Sequence, residues 1–179
     1  MGEIKSTLDL VMEKTKNLNL SDAEKQDQKN KEMESRLRGL VQKYQDQIIT
    51  LEQFKAEYQV LRQDYNLSGG QHEHLFKVIC ARIELGKDNQ VLLDLLSQFA
   101  DSDIEEITSV LQDFETAIQT ASATQSQIAK DELASKHFIS GSAVVPNLDA
   151  EREWQEMVNQ IRATFEESLN QATTKLLAA

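Results

Sequence analysis

The stretch QHEHLFKVICARIELGKDNQVLLDLLSQF, residues 71–99, decides the fold that this sequence predicts. Large apolar side chains lie on nearly all sides of each of the two helices that it favours, and such helices must be buried by several neighbours. Gly86 is placed to end the first helix and Asp88 to cap the second. We therefore expect a central αα-hairpin whose core consists of Leu75, Phe76, Val78, Ile79, Cys80, Ile83, Leu85, Val91, Leu92, Leu93, Leu95, Leu96 and Phe99.

The composition of the whole chain favours helices. Among 179 residues there are one Pro and six Gly, and the abundant Gln, Glu, Leu, Ala and Lys lose little rotamer freedom in a helix. β-Branched residues never form the alternating run of a half-buried strand. The predicted fold class is all-α: an elongated helical bundle with the central αα-hairpin and a long antiparallel, coiled-coil-like helix pair.

The net charge of −11 argues against a nucleic-acid partner, because Lys and Arg must neutralise phosphates to supply most of that affinity. It also disfavours binding to an anionic membrane surface. No apolar run reaches the ~20 residues of a membrane span, and no secretory leader is predicted after Met1. The single cysteine cannot form an intramolecular disulfide. We expect an acidic, cytoplasmic protein.

The N-terminal residues 1–20 predict an amphipathic arm, because apolar residues including Ile4, Leu8 and Val11 form one narrow stripe at helical spacing. Residues 21–35 predict a polar helix or a tether, since they offer almost nothing to bury. Ser21-x-x-Glu24 matches a capping box at the start of this segment.

Residues 36–101 are predicted to form the core from two helical hairpins. In the first hairpin, the helical phase of the apolar positions slips between Ile48 and Leu51. Thr50-x-x-Gln53 matches a capping box at that place. We therefore predict two packed helices joined by a tight turn near residues 46–49, and one uninterrupted helix over residues 33–65 is the alternative.

The segment LVQKYQDQIITLEQFKAEYQVL, residues 40–61, resembles the short helical-hairpin module called SHOCT. Gln47 stands where that module has its turn glycine. The resemblance implies a helical hairpin and a role in oligomerisation. The positions that carry it are Leu40, Tyr44, Asp46, Ile49, Thr50 and Phe54.

Residues 102–179 predict a long antiparallel helix pair, 103–136 against 149–177. An unbroken 3-4 spacing predicts a coiled-coil seam with Gln125 as its polar position, and Asp149 is placed to cap the second helix. Because the pair is longer than the central hairpin can cover, part of the seam is expected to remain for another copy or another protein. The seam residues are Ile104, Ile107, Leu111, Phe114, Ile118, Ala121, Gln125 and Ile128, facing Trp154, Val158, Ile161, Phe165, Leu169, Ala172 and Leu176.

The loop between these helices, FISGSAVVPNL at residues 138–148, contains no charged residue. A shorter turn suffices to reverse the chain, so this length needs a reason. One alternative is that Phe138, Ile139, Val144 and Val145 plug the open end of the bundle. Another is an exposed recognition loop, or a segment added to the edge of a partner's sheet. A third, in which His137 activates Ser140 or Ser142, lacks the strand–turn–helix context of such a nucleophile.

No set of residues predicts a metal or a cofactor. His72 and His74 are two residues apart rather than at i, i+4, and His74 and Cys80 lie about 120° apart around a helix. We expect His72 to cap a helix and the Cys80 thiol to be packed. Asp101-x-Asp103-x-Glu105 begins like a calcium loop but lacks its glycine and its final glutamate.

These patterns predict a non-enzymatic interaction or assembly protein, an adaptor or accessory subunit that acts through helical surfaces and self-associates as a homo-oligomer. One alternative is a small-ligand module or enzyme with a pocket among the central helices and His72, His74 or His137 at its rim. The other is a peripheral membrane protein attached through the N-terminal helix. The predicted partner-binding residues, with no catalytic, metal or cofactor residue among them, are Ile4, Leu8, Val11, Met12, Phe138, Ile139, Val144, Val145 and Pro146.

Overall fold

The computed structural model describes residues 22–65, 67, 72–100 and 104–178. Over these residues the secondary structure is helical and contains no strand, so the predicted all-α fold class is confirmed. The α-helices of this part of the chain are α1 (Asp22–Gln45), α2 (Leu51–Asp64), α3 (Glu73–Cys80), α4 (Gln90–Ser97), α5 (Glu105–His137) and α6 (Arg152–Ala178), and a 3-10 turn lies at Leu148–Ala150.

The chain divides into two compact units, Met1–Gly69 and Gly70–Ala179. The first unit contains α1 and α2, and the second contains α3 to α6. The boundary falls inside residues 36–101, which the sequence analysis grouped as one core, so the two predicted hairpins belong to different units. The predicted arm at residues 1–20 lies outside the described residues.

The first unit is a helical hairpin with its turn at the predicted place. The Thr50 hydroxyl accepts a hydrogen bond from the backbone N–H of Gln53, and the Gln53 side chain accepts one from the backbone N–H of Thr50. This capping box starts α2. Gln47 adopts a left-handed conformation with φ 57°, which favours glycine. The predicted two helices are therefore present, and the alternative of one uninterrupted helix over residues 33–65 is wrong.

Aromatic rings fill the inside of this hairpin. The Phe54 ring is fully buried and lies 5.5 Å from the ring of Tyr44 and 6.2 Å from that of Tyr58, measured between centroids. From Ala23 onward, Met33 is the first buried residue of α1. Residues 22–32 are helical although their side chains from Ala23 onward are exposed, so the described part of the predicted polar segment is a helix continuous with the hairpin.

The second unit is built on the stretch that the sequence placed at its centre. Leu75 and Ile79 of α3 are fully buried, as are Leu92, Leu95 and Leu96 of α4. Each helix is only eight residues long. The prediction that Gly86 ends the first helix is wrong, because α3 ends at Cys80 and Gly86 lies in a later turn with φ +76°.

The loop between α3 and α4 is part of the core. Ile83 and Leu85 are buried although they lie outside a helix. The buried Asn89 side chain holds this loop: its amide N–H groups donate to the carbonyls of Glu84 (2.8 Å) and Lys87 (2.9 Å), and its oxygen accepts from the N–H of Glu84 (3.1 Å). The predicted cap, Asp88, lies one residue before the N-cap of α4, which is Asn89. The Asp88 carboxylate accepts a hydrogen bond from the backbone N–H of Gln90, the first residue of α4.

Helices α5 and α6 pack as the predicted antiparallel pair. Phe114 and Phe165 meet edge to face with ring centroids 5.7 Å apart. Nearer the loop, the Gln125 amide donates to Glu151 at 3.2 Å, and at the other end Lys175 pairs with Glu106. The Arg162 guanidinium donates to the carbonyl of Leu85 (3.2 Å), which ties the pair to the central hairpin.

Two details of the pair differ from the sequence analysis. Ile128, placed in the seam, is 49% exposed, and its neighbour Ala129 is buried instead. Asp149 lies in the 3-10 turn, so α6 begins three residues after the predicted cap, at Arg152. Trp154 and Leu169, by contrast, are buried as the seam pattern predicts.

Candidate protein-interaction surface

The charge-free loop, residues 138–148, is the candidate surface that the structure describes. Its first residue, Phe138, follows the last turn of α5 in a left-handed conformation with φ 58°. The backbone N–H groups of Phe138 and Ile139 both point to the carbonyl of Leu133. The helix end thus fixes Phe138 in a conformation that costs an L-residue about 1–2 kcal/mol.

The apolar side chains of the charge-free loop face water. Phe138 is 91% exposed, Val145 is 85% exposed and Ile139 is 50% exposed, while Val144 and Pro146 are half-buried. The interpretation that this loop plugs the open end of the bundle is therefore wrong for these three residues. The physical reason is that the left-handed residue turns the chain outward at the end of α5.

The second half of the charge-free loop has an alternating pattern. Val144, Pro146 and Leu148 are half-buried, and Val145 and Asn147 are exposed. Such a period of two is typical of an extended backbone that rests on one side only. The Val144 N–H donates to the carbonyl of Gly141 (3.2 Å), and among the described contacts the N–H groups of Val145 and Asn147 make no hydrogen bond.

On each of the two helices that flank the charge-free loop, a charged side chain near the loop is paired with a neighbour on the same helix. Lys136 pairs with Glu132 at 3.0 Å at the end of α5, and Arg152 pairs with Glu156 at 2.8 Å at the start of α6. Charges paired in this way leave the uncharged loop between them. An apolar centre with a polar rim is the usual arrangement of a protein interface.

The histidines do not form a site within the described residues. His72 is the N-cap residue of α3, as predicted, but its side chain makes no capping hydrogen bond. Its ring packs against Phe76 and Phe99, with centroids 6.0 Å and 5.2 Å away. His74 is exposed on α3. Among the residues that the structure describes, no group of three or more His, Cys, Asp or Glu side chains is arranged to hold a metal ion.

Cys80 is packed, as predicted. Burial raises the pKa of its thiol from 9.0 to about 11, because a thiolate is poorly solvated there. The thiol is therefore protonated at neutral pH. His137, Ser140 and Ser142 are all exposed, and no hydrogen bond joins the histidine to either serine in the part of the chain described here.

The other predicted partner-binding residues, Ile4, Leu8, Val11 and Met12, lie outside the described residues, as do Asp101 and Asp103 of the segment that the sequence excluded as a calcium loop. Across the helices that are described, none has the length and apolar composition needed to cross a membrane.

One surface was missed by the sequence analysis. A groove on the first unit, which we call the hairpin groove, runs between α1 and α2. Its signal in the sequence was Gly39, a glycine in the interior of a predicted helix, where it is destabilising. The residues that line it are Arg36, Gly39, Leu40, Lys43, Glu57, Val60, Leu61 and Asp64.

Comparisons with known proteins add no relative from which a role can be transferred. The resemblance of residues 40–61 to the SHOCT module implies a helical hairpin, which the structure has, and a role in oligomerisation, which stays a prediction. No family model, no curated protein and no solved structure matches this chain.

Proposed function

We propose that this protein is a non-enzymatic interaction or assembly protein, an adaptor or accessory subunit that binds a protein partner through its charge-free loop and also self-associates. The observation that carries the proposal is the outward placement of Phe138, which is 91% exposed in a left-handed conformation. The proposal assigns no catalytic residue and no cofactor.

The energetics of Phe138 support a role outside the fold. Leaving a phenylalanine in water forgoes about 1.5–3 kcal/mol of burial, and the left-handed conformation adds its own cost. Glycine or asparagine would end α5 at this position at lower cost. A side chain that is this expensive for the free protein is consistent with an anchor that a partner buries, since aromatic anchors dominate interface energies.

The partner that fits this loop offers an apolar cleft for Phe138 and Ile139. The alternating segment at residues 144–147 is suited to lie along an exposed strand of the partner, because the N–H groups of Val145 and Asn147, which make no hydrogen bond among the described contacts, can then pair with that strand. The proposal includes a further contact surface on the basis of its sequence pattern. It is the stripe formed by Ile4, Leu8, Val11 and Met12.

Site-specific photocrosslinking in the native cell tests the loop. A photoreactive phenylalanine analogue replaces Phe138 in the full-length protein, and a matched control places it at Gln119, an exposed position in the middle of α5. We expect one discrete protein adduct from position 138 and none from position 119. Equal adducts from both positions, or none from either, would contradict the proposal.

A polar double variant gives the second readout. The double variant Phe138→Ser with Val145→Ser lacks the two most exposed apolar side chains of the loop. It should no longer capture the partner that the crosslinking experiment identifies. Because neither side chain is buried, the free energy of unfolding should change by less than about 0.5 kcal/mol. Capture that persists in the folded double variant contradicts a binding role for these side chains.

A further inference from the structure

The hairpin groove has two matched walls. On α1 the lining residues Arg36, Gly39, Leu40 and Lys43 recur at i, i+3, i+4 and i+7, and the four lining residues of α2, from Glu57 to Asp64, recur at the same spacing. Residues at this spacing share one helix face. Each wall therefore has a charged residue at either end and small or apolar residues between them.

Gly39 is not required by the packing of the described part of the chain. A Cβ atom built at this position meets no described atom within 4 Å, and glycine in a helix interior is less stable than alanine. Across the groove, Val60 is 57% exposed, whereas Leu40 and Leu61 beneath are buried. The hairpin groove thus has an empty space beside Gly39 on its α1 wall, which we call the notch. The apolar side chain of Val60 projects from its α2 wall.

The charges of the hairpin groove are separated by helix. Lys43 on α1 pairs with Glu57 on α2 at 3.3 Å, and Arg36 on α1 approaches Asp64 on α2 at 3.9 Å. All four side chains are about half exposed, and Arg36 also pairs with Glu32 on its own helix. One wall of the groove is therefore positive and the other is negative.

We propose that the occupant of the hairpin groove is the hairpin groove of a second copy of this chain. Two aligned arrangements bring the faces together. A two-fold axis perpendicular to the helices places Arg36 of one copy over Lys43 of the other, which is repulsive. A two-fold axis along the groove places α1 of each copy over α2 of the other, so that Arg36 faces Asp64 and Lys43 faces Glu57. Complementary charge selects the second arrangement.

The same arrangement joins the two uncharged features. With the axis along the groove, Val60 of each copy lies over the part of the other copy's α1 that contains Gly39. The side chain that projects from one copy then fills the notch of the other, and it does so twice because a two-fold interface is isologous. This inference rests on the self-association in the proposed function and assigns it to a surface distinct from the charge-free loop.

Mixing of charge-reversed full-length proteins tests the inference. One variant, Arg36→Glu with Lys43→Glu, makes both walls negative, and the other, Glu57→Lys with Asp64→Lys, makes both walls positive. We expect the wild-type protein to sediment as a dimer. Each variant alone should dimerise with a dissociation constant raised about tenfold or more, and an equimolar mixture should form a heterodimer. Rescue by mixing cannot arise from ion pairs within one chain.

The matched control for the positive variant is Glu115→Lys with Glu153→Lys, which changes the net charge equally at exposed positions outside the groove. It should dimerise like the wild type and should not rescue the negative variant. Helicity by circular dichroism verifies that every variant is folded. A mixture of the groove variants that stays monomeric, or equal rescue by the control, would overturn the inference.

A steric variant gives an independent readout. Gly39→Gln fills the notch with a helix-favouring side chain, so the hairpin should remain folded while the dissociation constant rises about tenfold or more. Ser35→Gln, at an exposed position of the same helix, should leave the constant unchanged. A monomeric wild-type protein would overturn self-association itself, whereas a dimer insensitive to Gly39→Gln and to both charge variants would overturn only this assignment. Neither result alters the crosslinking test of the loop.

Discussion

Asn89 holds the reversal between α3 and α4 with one side chain. It is 7% exposed, and both its amide group and its oxygen are bonded to backbone groups of the loop. A buried side chain that satisfies three backbone groups is costly to replace, because backbone groups that lose water on folding must find their hydrogen bonds within the protein.

We expect Asn89→Ala to lower the free energy of unfolding by about 2 kcal/mol. Asn89→Asp should cost more at neutral pH, since a carboxylate would face the carbonyl oxygens of Glu84 and Lys87 with no N–H to donate. Urea denaturation followed by circular dichroism measures both changes. Asn159→Ala, at an exposed position of α6, is the control and should change stability by less than about 0.5 kcal/mol. An Asn89→Ala variant as stable as that control would contradict this account.

A cap at the start of α4 was predicted at Asp88, whereas the role of Asn89 could not be predicted from the sequence. Asp88 was recognisable because a carboxylate just before an apolar helix is typical of a cap. The partners of Asn89 are backbone groups two and five residues earlier in the chain, and they converge only after the loop has closed. Spacing along a helix carries no information about such contacts.

At the scale of single elements, the capping box at Thr50 separates α1 from α2. Thr50→Ala removes the hydroxyl that accepts from the N–H of Gln53, and we expect it to lower the free energy of unfolding by about 1 kcal/mol. Thr50→Ser keeps the acceptor and should recover most of that loss. Urea denaturation compares the two variants, and equal destabilisation by serine and alanine would show that the hydrogen bond does not set the stability of this turn.

The existence of the helices was predictable from the sequence, while the end of α3 was not. The pattern around Leu75 and Ile79 is apolar on all sides, and it continues through Ile83 and Leu85. A buried loop needs apolar residues as much as a buried helix does, so periodicity alone could not show that α3 ends at Cys80.

The seam of α5 shows a second limit of heptad spacing. A straight α-helix drifts by about 20° per heptad relative to a strict seven-residue repeat. Over the three heptads from Ile107 to Ile128 the drift is about 60°, which turns Ile128 away from α6 and brings Ala129 towards it. The exposed Ile128 and the buried Ala129 follow from this drift.

At the scale of the whole molecule, the proposed dimer links stability to protein concentration. Association of folded chains shifts the unfolding equilibrium by mass action, so the thermal midpoint of the wild-type protein should rise with concentration. Because its dissociation constant should be about tenfold or more higher, Gly39→Gln should need a correspondingly higher concentration to reach the same midpoint. Circular dichroism melts recorded over a hundredfold range of protein concentration measure this dependence. Such a range covers about two factors of ten in the concentration that drives association. A wild-type midpoint that does not move with concentration would contradict the dimer.

The division into units was beyond the reach of sequence patterns. The two hairpins around Phe54 and Leu95 both have the pattern of core-forming helices, and nothing in their spacing tells which of them belongs to the same unit as the long pair. The candidate surface was partly predictable: its lack of charge marked residues 138–148, but the outward direction of Phe138 depends on a left-handed backbone conformation.

The buried Trp154 has an optical consequence. It is the only tryptophan of the chain, and it lies in the second unit, whereas the three tyrosines, Tyr44, Tyr58 and Tyr65, all lie in the first. Light absorbed by tryptophan alone therefore excites emission from the second unit only, and tyrosine absorbance reports on the first. The protein carries its own pair of spectrally distinct labels, one for each unit.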